Sequence, residues 1–490
     1  MNILLASAEV APFAKAGGLA DIASALPIEW QKFGQNPIVI MPKYGFIDNH
    51  QWDIRPTYLT LVVPMGYWTE YAHLMVGTLP GSEVPVYFVE HDGYFGRAGI
   101  YGDPDEYPDN DRRFIFFDRA VFEAARALNF TPDIIHAHDF HTAFTMAFLK
   151  SHYRFDPRFS RTGGVYTIHN LAYQGNFNPA TAMEYSGFGM SEFYPGSWFE
   201  HNSSVNAMKT GVMFADKITT VSPTYSREIR MPYYSEGVQD VLNERSADLI
   251  GILNGVYYDE WNPEEDKHLY INFDSQGLDK KRANKHALLK DFGLTDEDDL
   301  DLPLMGMVTR LAEQKGIDLL INKFEQYMVD RSFRLILLGS GDRTYEDFFN
   351  YMKYKYPKLA LVYIGYNNKI AHRIIGSSDF LLMPSRFEPC GLTQMYAMKY
   401  GTIPIVRETG GLADTVEEYY PETGEGTGFR FWQYNADDMA WAIRRALEIY
   451  NEEPHWDLIR RNAFAQEFSS SKSALEYLKV FKWALEKVRP

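Results

Sequence analysis

Short apolar runs alternate with helical patterns along this chain in two separate series, and that alternation limits the fold more than any other feature. The first series is "NILLAS", "PIVIMP", "VPVYFV", "PDIIHAH", "GGVYTIHN", "DKITTVS" and "LIGILNG", with helical stretches such as "DRRFIFFDRAVFEAARAL" between several of them. The second is "PLMGMVT", "FRLILLGSG", "LALVYIGY", "SDFLLMPS" and "TIPIVRE". Alternation of this kind predicts an α/β chain with mainly parallel, doubly wound sheets. Two such series in 490 residues exceed one ordinary core, so two domains are expected. Asn254-Gly255 and Trp261-Asn262-Pro263 punctuate the chain where neither pattern holds, which puts the boundary near residues 250–265. The expected domains are 1–253 and 254–465, followed by a terminal segment, 466–490. In that segment Ala474, Tyr477, Leu478, Phe481 and Leu485 share one helical face, with serines at 469–471 and 473 as expected N-caps.

A net charge of −17 argues against nucleic acid and against an anionic membrane as partners. An anionic substrate therefore needs a local cluster of Lys and Arg. The single cysteine, Cys390, excludes a disulfide framework and a cysteine-based zinc site. No run approaches the roughly 18 apolar residues of a membrane span, and the opening reads as a first strand, not a leader. The acidic run "TDEDDLD" at 295–301 reads as a solvated turn.

In open α/β sheets ligands sit beyond the carboxyl ends of the strands, so the residues after each run matter most. The first run leads to "AKAGGLAD", a strand, glycine turn and helix that brings backbone N–H groups up to a phosphate, although its spacing is neither the dinucleotide nor the Walker pattern. Later runs lead to Asp139-Phe140-His141-Thr142, to His169-Asn170, to Arg310 with Lys315-Gly316, to Tyr366, to Arg386 through Thr393, and to Thr409-Gly410-Gly411. Together these describe a cleft between two sheets. Arg310 and Lys315 supply positive charge, and the glycine pairs 17–18 and 410–411 are expected to expose backbone donors, which suits a diphosphate. Carboxylates and histidines suit sugar hydroxyls, and Tyr366 suits a base. A nucleotide-sugar uses all three.

The blocks "KAGGLAD", "HAHDFHT", "TIHNLAYQG", "GILNGV", "TRLAEQKGID", "PSRFEPCGLTQMYAMKYGTIPIVRETGGLADTV" and "EFSSSKSALEYLKVF" resemble, in order and over nearly the whole chain, the bacterial glycogen synthase and plant starch synthase family. The resemblance implies a GT-B fold: two Rossmann-like domains facing across a deep cleft, with the C-terminal helix crossing back to the N-domain. It implies transfer of glucose from ADP-glucose to the non-reducing end of an α-1,4-glucan with retention, release of ADP, and no cofactor or metal. By the family's motifs, Lys15, Gly17 and Gly18 face the donor from the N-domain, and Arg310 and Lys315 grip its phosphates. Glu388 holds the glucose hydroxyls. His169 lies near the sugar's C6 hydroxyl, and Asp139 near the reacting centre. Tyr366 stacks on adenine. Asn254, Gly391, Leu392 and Thr393 line the donor site, and Phe140 meets the acceptor. The expected compartment is the bacterial cytoplasm, or the plastid stroma behind a removed transit peptide.

Three positions depart from the pattern. Ala16 replaces the usual threonine of the glycine loop, Phe140 replaces a tryptophan, and Tyr396 stands where many related transferases carry a second glutamate. Nothing resembles the carboxyl pair of a retaining glycosidase, so front-face displacement is expected, with electrostatics and positioning as the enzyme's contribution. Two alternatives stand beside this reading: a glucan phosphorylase of the same architecture carrying pyridoxal phosphate, and an inactive glucan-binding protein. The charged set at 15, 310, 315 and 388 favours catalysis over mere binding.

Overall fold

The computed structural model describes residues 1–103 and 105–489. The chain divides into two compact units, Met1–Gly255 together with the segment from Ser470 onward, and Val256–Ser469. The first break falls after Gly255. The Asn254 N–H donates to the Val221 carbonyl at 3.3 Å, and Ser473 Oγ donates to the Leu253 carbonyl at 2.6 Å, both within the first unit. The Val256 N–H donates to the Phe468 carbonyl at 2.7 Å, so residues 466–469 go with the second unit.

The first unit contains β1 (Asn2–Ala6), β2 (Asn36–Pro42), β3 (Arg55–Met65), β4 (Trp68–Thr78), β5 (Pro85–Glu90), β6 (Ile134–His138), β7 (Gly163–Ile168), β8 (Asn176–Phe177), β9 (Glu200–His201), β10 (Ser204–Asn206), β11 (Lys217–Thr220) and β12 (Leu249–Gly251). Nine of them form one sheet in the order β12-β11-β7-β6-β1-β2-β5-β4-β3, and β8-β10-β9 form a small separate one. The seven strands anticipated from the apolar runs are the parallel ones; β1, β2, β6 and β7 are buried nearly throughout because helices cover both faces, while β12 at the sheet edge is half-buried. The sequence reading missed the antiparallel β3–β4 hairpin. Thr60, Val62, Pro64, Thr69, Tyr71 and His73 alternate outward there while Leu61, Val63 and Ala72 face in.

The second unit contains β13 (Leu304–Val308), β14 (Arg334–Gly339), β15 (Ala360–Ile364), β16 (Phe380–Met383), β17 (Ile403–Arg407) and β18 (Phe429–Phe431), all parallel, in the order β15-β14-β13-β16-β17-β18. This is the 3-2-1-4-5-6 order of the Rossmann fold. The parallel part of the first unit follows the same rule, with β5, β2, β1 on one side and β6, β7, β11, β12 on the other. Strand order therefore reverses between β1 and β6 in one unit and between β13 and β16 in the other. Those are the places where loops diverge and leave a crevice.

The terminal helix, Ser470–Val488, packs on helix Gly18–Lys32 and on β7. Its buried face is Ser473, Ala474, Tyr477, Val480, Phe481 and Ala484, while Leu478 and Leu485 lie half-buried at its margin. The expected stripe is thus rotated toward smaller residues, because the helix must come close to Gly163, where an added Cβ would lie 3.3 Å from Ala484. Two of the serines expected as N-caps bond elsewhere. Ser471 Oγ donates to Glu29 and Ser473 Oγ to the Leu253 carbonyl, while Trp30 Nε1 donates to the Ala474 carbonyl at 3.2 Å. Among the described residues no helix is long and apolar enough to cross a membrane.

Candidate active site

In the first unit the polar residues gather at the reversal between β1 and β6. Glu9, just beyond β1, is buried, and its Oε2 accepts from the N–H groups of Ala16 (2.6 Å) and Gly17 (2.9 Å). Its other oxygen accepts from the Tyr101 hydroxyl, whose ring stacks on His141 at 4.5 Å. The expectation that the 17–18 turn exposes backbone donors is corrected for Gly17, whose N–H is already engaged by a carboxylate. Gly18 opens helix Gly18–Lys32, and Lys15 beside it is half-exposed, with Nζ 2.7 Å from Asp21. Glu9 and Tyr101 were not among the residues anticipated. An acidic residue directly after the first strand was the available signal for Glu9.

Asp139 follows β6 with φ +56°, a left-handed conformation that a non-glycine residue holds only where its surroundings impose it. Its Oδ1 accepts from the His169 N–H at 2.7 Å, and His169 Nε2 shares a 2.9 Å hydrogen bond with His138 Nδ1. Burial pushes Asp139 up to about 7 against the pull of the His169 and Asn170 N–H groups, and Glu9 adds a smaller push. Burial takes His169 down to about 3, so that imidazole is neutral at physiological pH. Phe140 is half-buried among Phe114, Phe177 and Gly175, and a Cβ at Gly175 would lie 2.5 Å from its ring. Asn254 is buried in this first unit, and its Oδ1 has no protein partner.

The sign of the Asp139 shift gives a test. An acid whose folded pKa lies above its unfolded value costs stability progressively as pH rises from about 4 to about 7, because the unfolded chain releases that proton first. Asp139→Asn should remove this slope, so its melting temperature changes less between pH 5 and pH 7.5 than that of the unaltered chain. Parallel curves for the two proteins would contradict the assignment.

In the second unit the reversal between β13 and β16 brings Lys315 and Glu388 into contact across 73 residues of sequence. Lys315 Nζ lies 2.9 and 2.7 Å from the two Glu388 oxygens, and Ser385 Oγ donates to Oε2 at 2.9 Å. Glu388 is only 5 % exposed. Gly316, with φ +70°, turns the chain into helix Ile317–Val329 against Pro384, where a Cβ would meet the carbonyl at 2.0 Å. Arg310 is exposed and reaches Gln314 Oε1 at 3.3 Å, while the Arg386 N–H holds the Gln314 carbonyl at 2.8 Å. Gly391, Leu392 and Thr393 follow half-buried, leading into helix Thr393–Lys399, with Gly391 at φ +69°. Nor is Gly411 of the second pair an open donor. The Gly411 N–H goes to the carbonyls of Glu388 (3.1 Å) and Pro389 (3.2 Å). Tyr366, beyond β15, is 73 % exposed, and its hydroxyl donates to Asn368 Oδ1 at 3.2 Å.

Each unit thus presents charged and polar groups at its strand-order reversal, a buried carboxylate among them. No group of three or more His, Cys, Asp or Glu suited to a metal occurs among the described residues. In the second unit, a lysine held by a carboxylate and flanked by an exposed arginine can bind an anionic leaving group and a polyhydroxylated neighbour side by side.

Two family models match in tandem: the starch synthase catalytic domain over residues 2–244 and glycosyl transferases group 1 over residues 296–463. A sucrose-phosphate synthase from Thermosynechococcus elongatus shares the fold, with a TM-score of 0.59, 16% identity and 98% of each chain covered. Fold and site together define a two-domain GT-B glycosyltransferase. The catalytic domain of starch synthase IV from Arabidopsis thaliana, solved with ADP and acarbose, superposes with a TM-score of 0.90 at 32% identity, covering 99% of both chains. A glycogen synthase from Bacillus cereus strain Q1 is 42% identical over 486 residues, 99% of this chain and all of the relative. A glycogen synthase from Geobacter sulfurreducens is 42% identical over 491 residues, 99% of this chain and 97% of the relative. The chain belongs to the glycogen synthase and starch synthase family, and it is a glucan-synthesising glycosyltransferase. Full-length likeness to synthases selects that reading over the phosphorylase alternative.

Proposed function

We propose that the chain transfers glucose from ADP-glucose to the non-reducing end of an α-1,4-glucan with retention of configuration, releasing ADP. The observation that carries this reading is the Lys315–Glu388 pair at the β13/β16 reversal, with Arg310 beside it. Support for the ligands comes from the Arabidopsis starch synthase, which is described with ADP and acarbose bound. In this reading the second unit binds the donor. Arg310 and Lys315 take the phosphates, Glu388 the glucose hydroxyls and Tyr366 the adenine, while Gly391, Leu392 and Thr393 line the pocket. The first unit contributes Lys15 with the Gly17–Gly18 turn, Asp139, His169 and Asn254, and it receives the acceptor beside Phe140. The full-length relatives are bacterial glycogen synthases, and the bacterial cytoplasm is the setting proposed with this reading.

The chemistry asks little covalent work of the protein. The bond from the anomeric carbon to the phosphate oxygen breaks while the acceptor hydroxyl oxygen bonds to that carbon on the same face. The departing phosphate oxygen accepts the acceptor's proton. Negative charge grows on ADP as the bond breaks, so cations fixed beforehand lower the barrier more than they strengthen ground-state binding. The His169 imidazole, neutral and hydrogen-bonded to His138, can accept or donate to a hydroxyl without adding charge.

Transfer of radiolabelled glucose from ADP-glucose and from UDP-glucose, each to glycogen and to malto-oligosaccharides, tests the reading. Label is expected in the glucan from ADP-glucose, with equimolar ADP. Phosphate-dependent release of glucose 1-phosphate, or glucan binding without transfer, would overturn it.

A further inference from the structure

We infer that Trp261, clamped as the middle layer of a three-ring stack, is the positioning residue that sets the two helices presenting Tyr366 and Thr393. This rests on the reading that those two residues meet the nucleotide-sugar donor. Trp261 lies on the long stretch between β12 and helix Lys280–Asp291, which forms no helix or strand. Such a stretch ordinarily runs over the surface, yet Trp261, Asp266, Leu269 and Phe273 are all buried.

The Trp261 ring lies 3.7 Å from His372, with 8° between the planes, and 4.2 Å from Tyr396, with 5° between the planes. His372 belongs to helix Asn368–Ser377 and Tyr396 to helix Thr393–Lys399. Asp266, five residues further along, repeats the connection. Its Oδ2 accepts from His372 Nδ1 at 2.8 Å and from the hydroxyl of Tyr400, which ends the second helix, at 2.7 Å. One loop therefore fastens both helices twice, with a ring and with a carboxylate. The His372 and Asp266 side chains are each 1 % exposed, so water does not compete for these bonds.

Neutral aromatic pairs avoid such close parallel overlap and prefer roughly 4.5–7 Å with an offset or edge contact. A protonated imidazole removes the objection, because its charge is attracted to the indole face. Burial pushes His372 down, but the hydrogen bond to Asp266 and the Glu260 carboxylate 3.8 Å from Nε2 outweigh it and keep the ring toward its charged form.

Both clamped helices begin at donor residues. Tyr366 immediately precedes Asn367, whose side chain caps helix Asn368–Ser377 by accepting from the Ile370 N–H at 3.0 Å. Thr393 is the first residue of the other helix. The stack sits six residues beyond Tyr366 and three beyond Thr393, within two turns of each. A glutamate at position 396 could not form the lower layer, which gives the tyrosine there a physical reason.

The test uses the whole chain with Trp261→Leu and Trp261→Phe, read by calorimetry of ADP binding, by donor KM and kcat, and by melting temperature. Trp261→Leu is expected to weaken ADP and raise donor KM about tenfold while kcat changes little, since base and ribose contacts persist from ground state to transition state. Trp261→Phe keeps a ring between the two layers and should restore most of both. A lower melting temperature with unchanged ADP affinity and donor KM would make Trp261 merely structural and overturn the inference. Should Trp261→Leu fail to fold, Tyr396→Leu and His372→Gln, which each remove one layer and leave the tryptophan, decide by the same criteria. If the unaltered chain binds no ADP, the functional reading falls and this inference with it. Equal binding by the unaltered chain and the variants removes this inference alone.

Discussion

Lys315→Gln is expected to lower kcat by about 10²-fold or more and to weaken ADP, whereas Glu388→Ala lowers turnover comparably and leaves ADP bound at least as tightly as before. The two side chains neutralise each other in the structure, with Nζ 2.9 and 2.7 Å from the carboxylate oxygens. A phosphate arriving at Lys315 must share that ammonium with Glu388. Removing the carboxylate frees the cation, so ADP, which has no glucosyl hydroxyls, gains an undivided partner. Removing the lysine instead leaves a buried carboxylate with Ser385 as its remaining donor, at a cost in melting temperature as well as in turnover. Glu388→Gln should keep part of the sugar contact and release the lysine, placing it between Glu388→Ala and the unaltered chain in turnover. Calorimetry with ADP and steady-state kinetics on the three variants separate these effects. Loss of ADP affinity in Glu388→Ala as severe as in Lys315→Gln would show that the carboxylate serves the phosphates and not the sugar.

The parts of this molecule that could be read from residues alone are those whose environment is uniform. Strands β1, β2, β6 and β7 lie between helical layers, so "NILLA" or "IIHAH" must be apolar on both faces and shows up as an unbroken run. The β3–β4 hairpin has one solvated face, so its signal is alternation broken by Pro56 and Pro64, which resembles a loop. The same contrast holds in the site. Lys315, Arg310 and Glu388 stand directly after strands, where topology places chemistry, and so they could be singled out. That Lys315 and Glu388 hold each other and that Trp261 separates His372 from Tyr396 are contacts between residues far apart in sequence. Spacing along the chain carries no trace of such pairings. The Gly410–Gly411 pair misleads for a related reason. A glycine signals a close approach of backbone, and at 410–411 what approaches is the chain's own loop at Glu388 and Cys390, not a ligand.

Gly410→Ala should show how tightly that loop is held. Gly410 has φ +46°, and a Cβ there would lie 1.8 Å from the Glu388 carbonyl oxygen and 2.8 Å from its carbon. No side-chain rotation relieves this, because the obstacle is main chain. Either the helix Gly410–Thr415 or the peptide at Glu388 must move, and the Gly411 N–H bond to the Glu388 carbonyl, 3.1 Å, goes with it. Left-handed strain and overpacking together cost roughly 2 kcal/mol or more. The functional loss should be larger than the loss of stability suggests, since a shift of about 1 Å in a substrate-holding carboxylate is worth about 10²-fold in rate. Gly293 provides the comparison. Its φ is +89°, yet nothing lies within 4 Å of an added Cβ, so Gly293→Ala carries backbone strain without collision. Gly293→Ala should melt somewhat lower and turn over normally, while Gly410→Ala should melt lower and lose most of its turnover at saturating donor and acceptor. Equal turnover in the two variants would mean that the Glu388 loop adjusts freely, and the rigid placement of that carboxylate would then have to be abandoned.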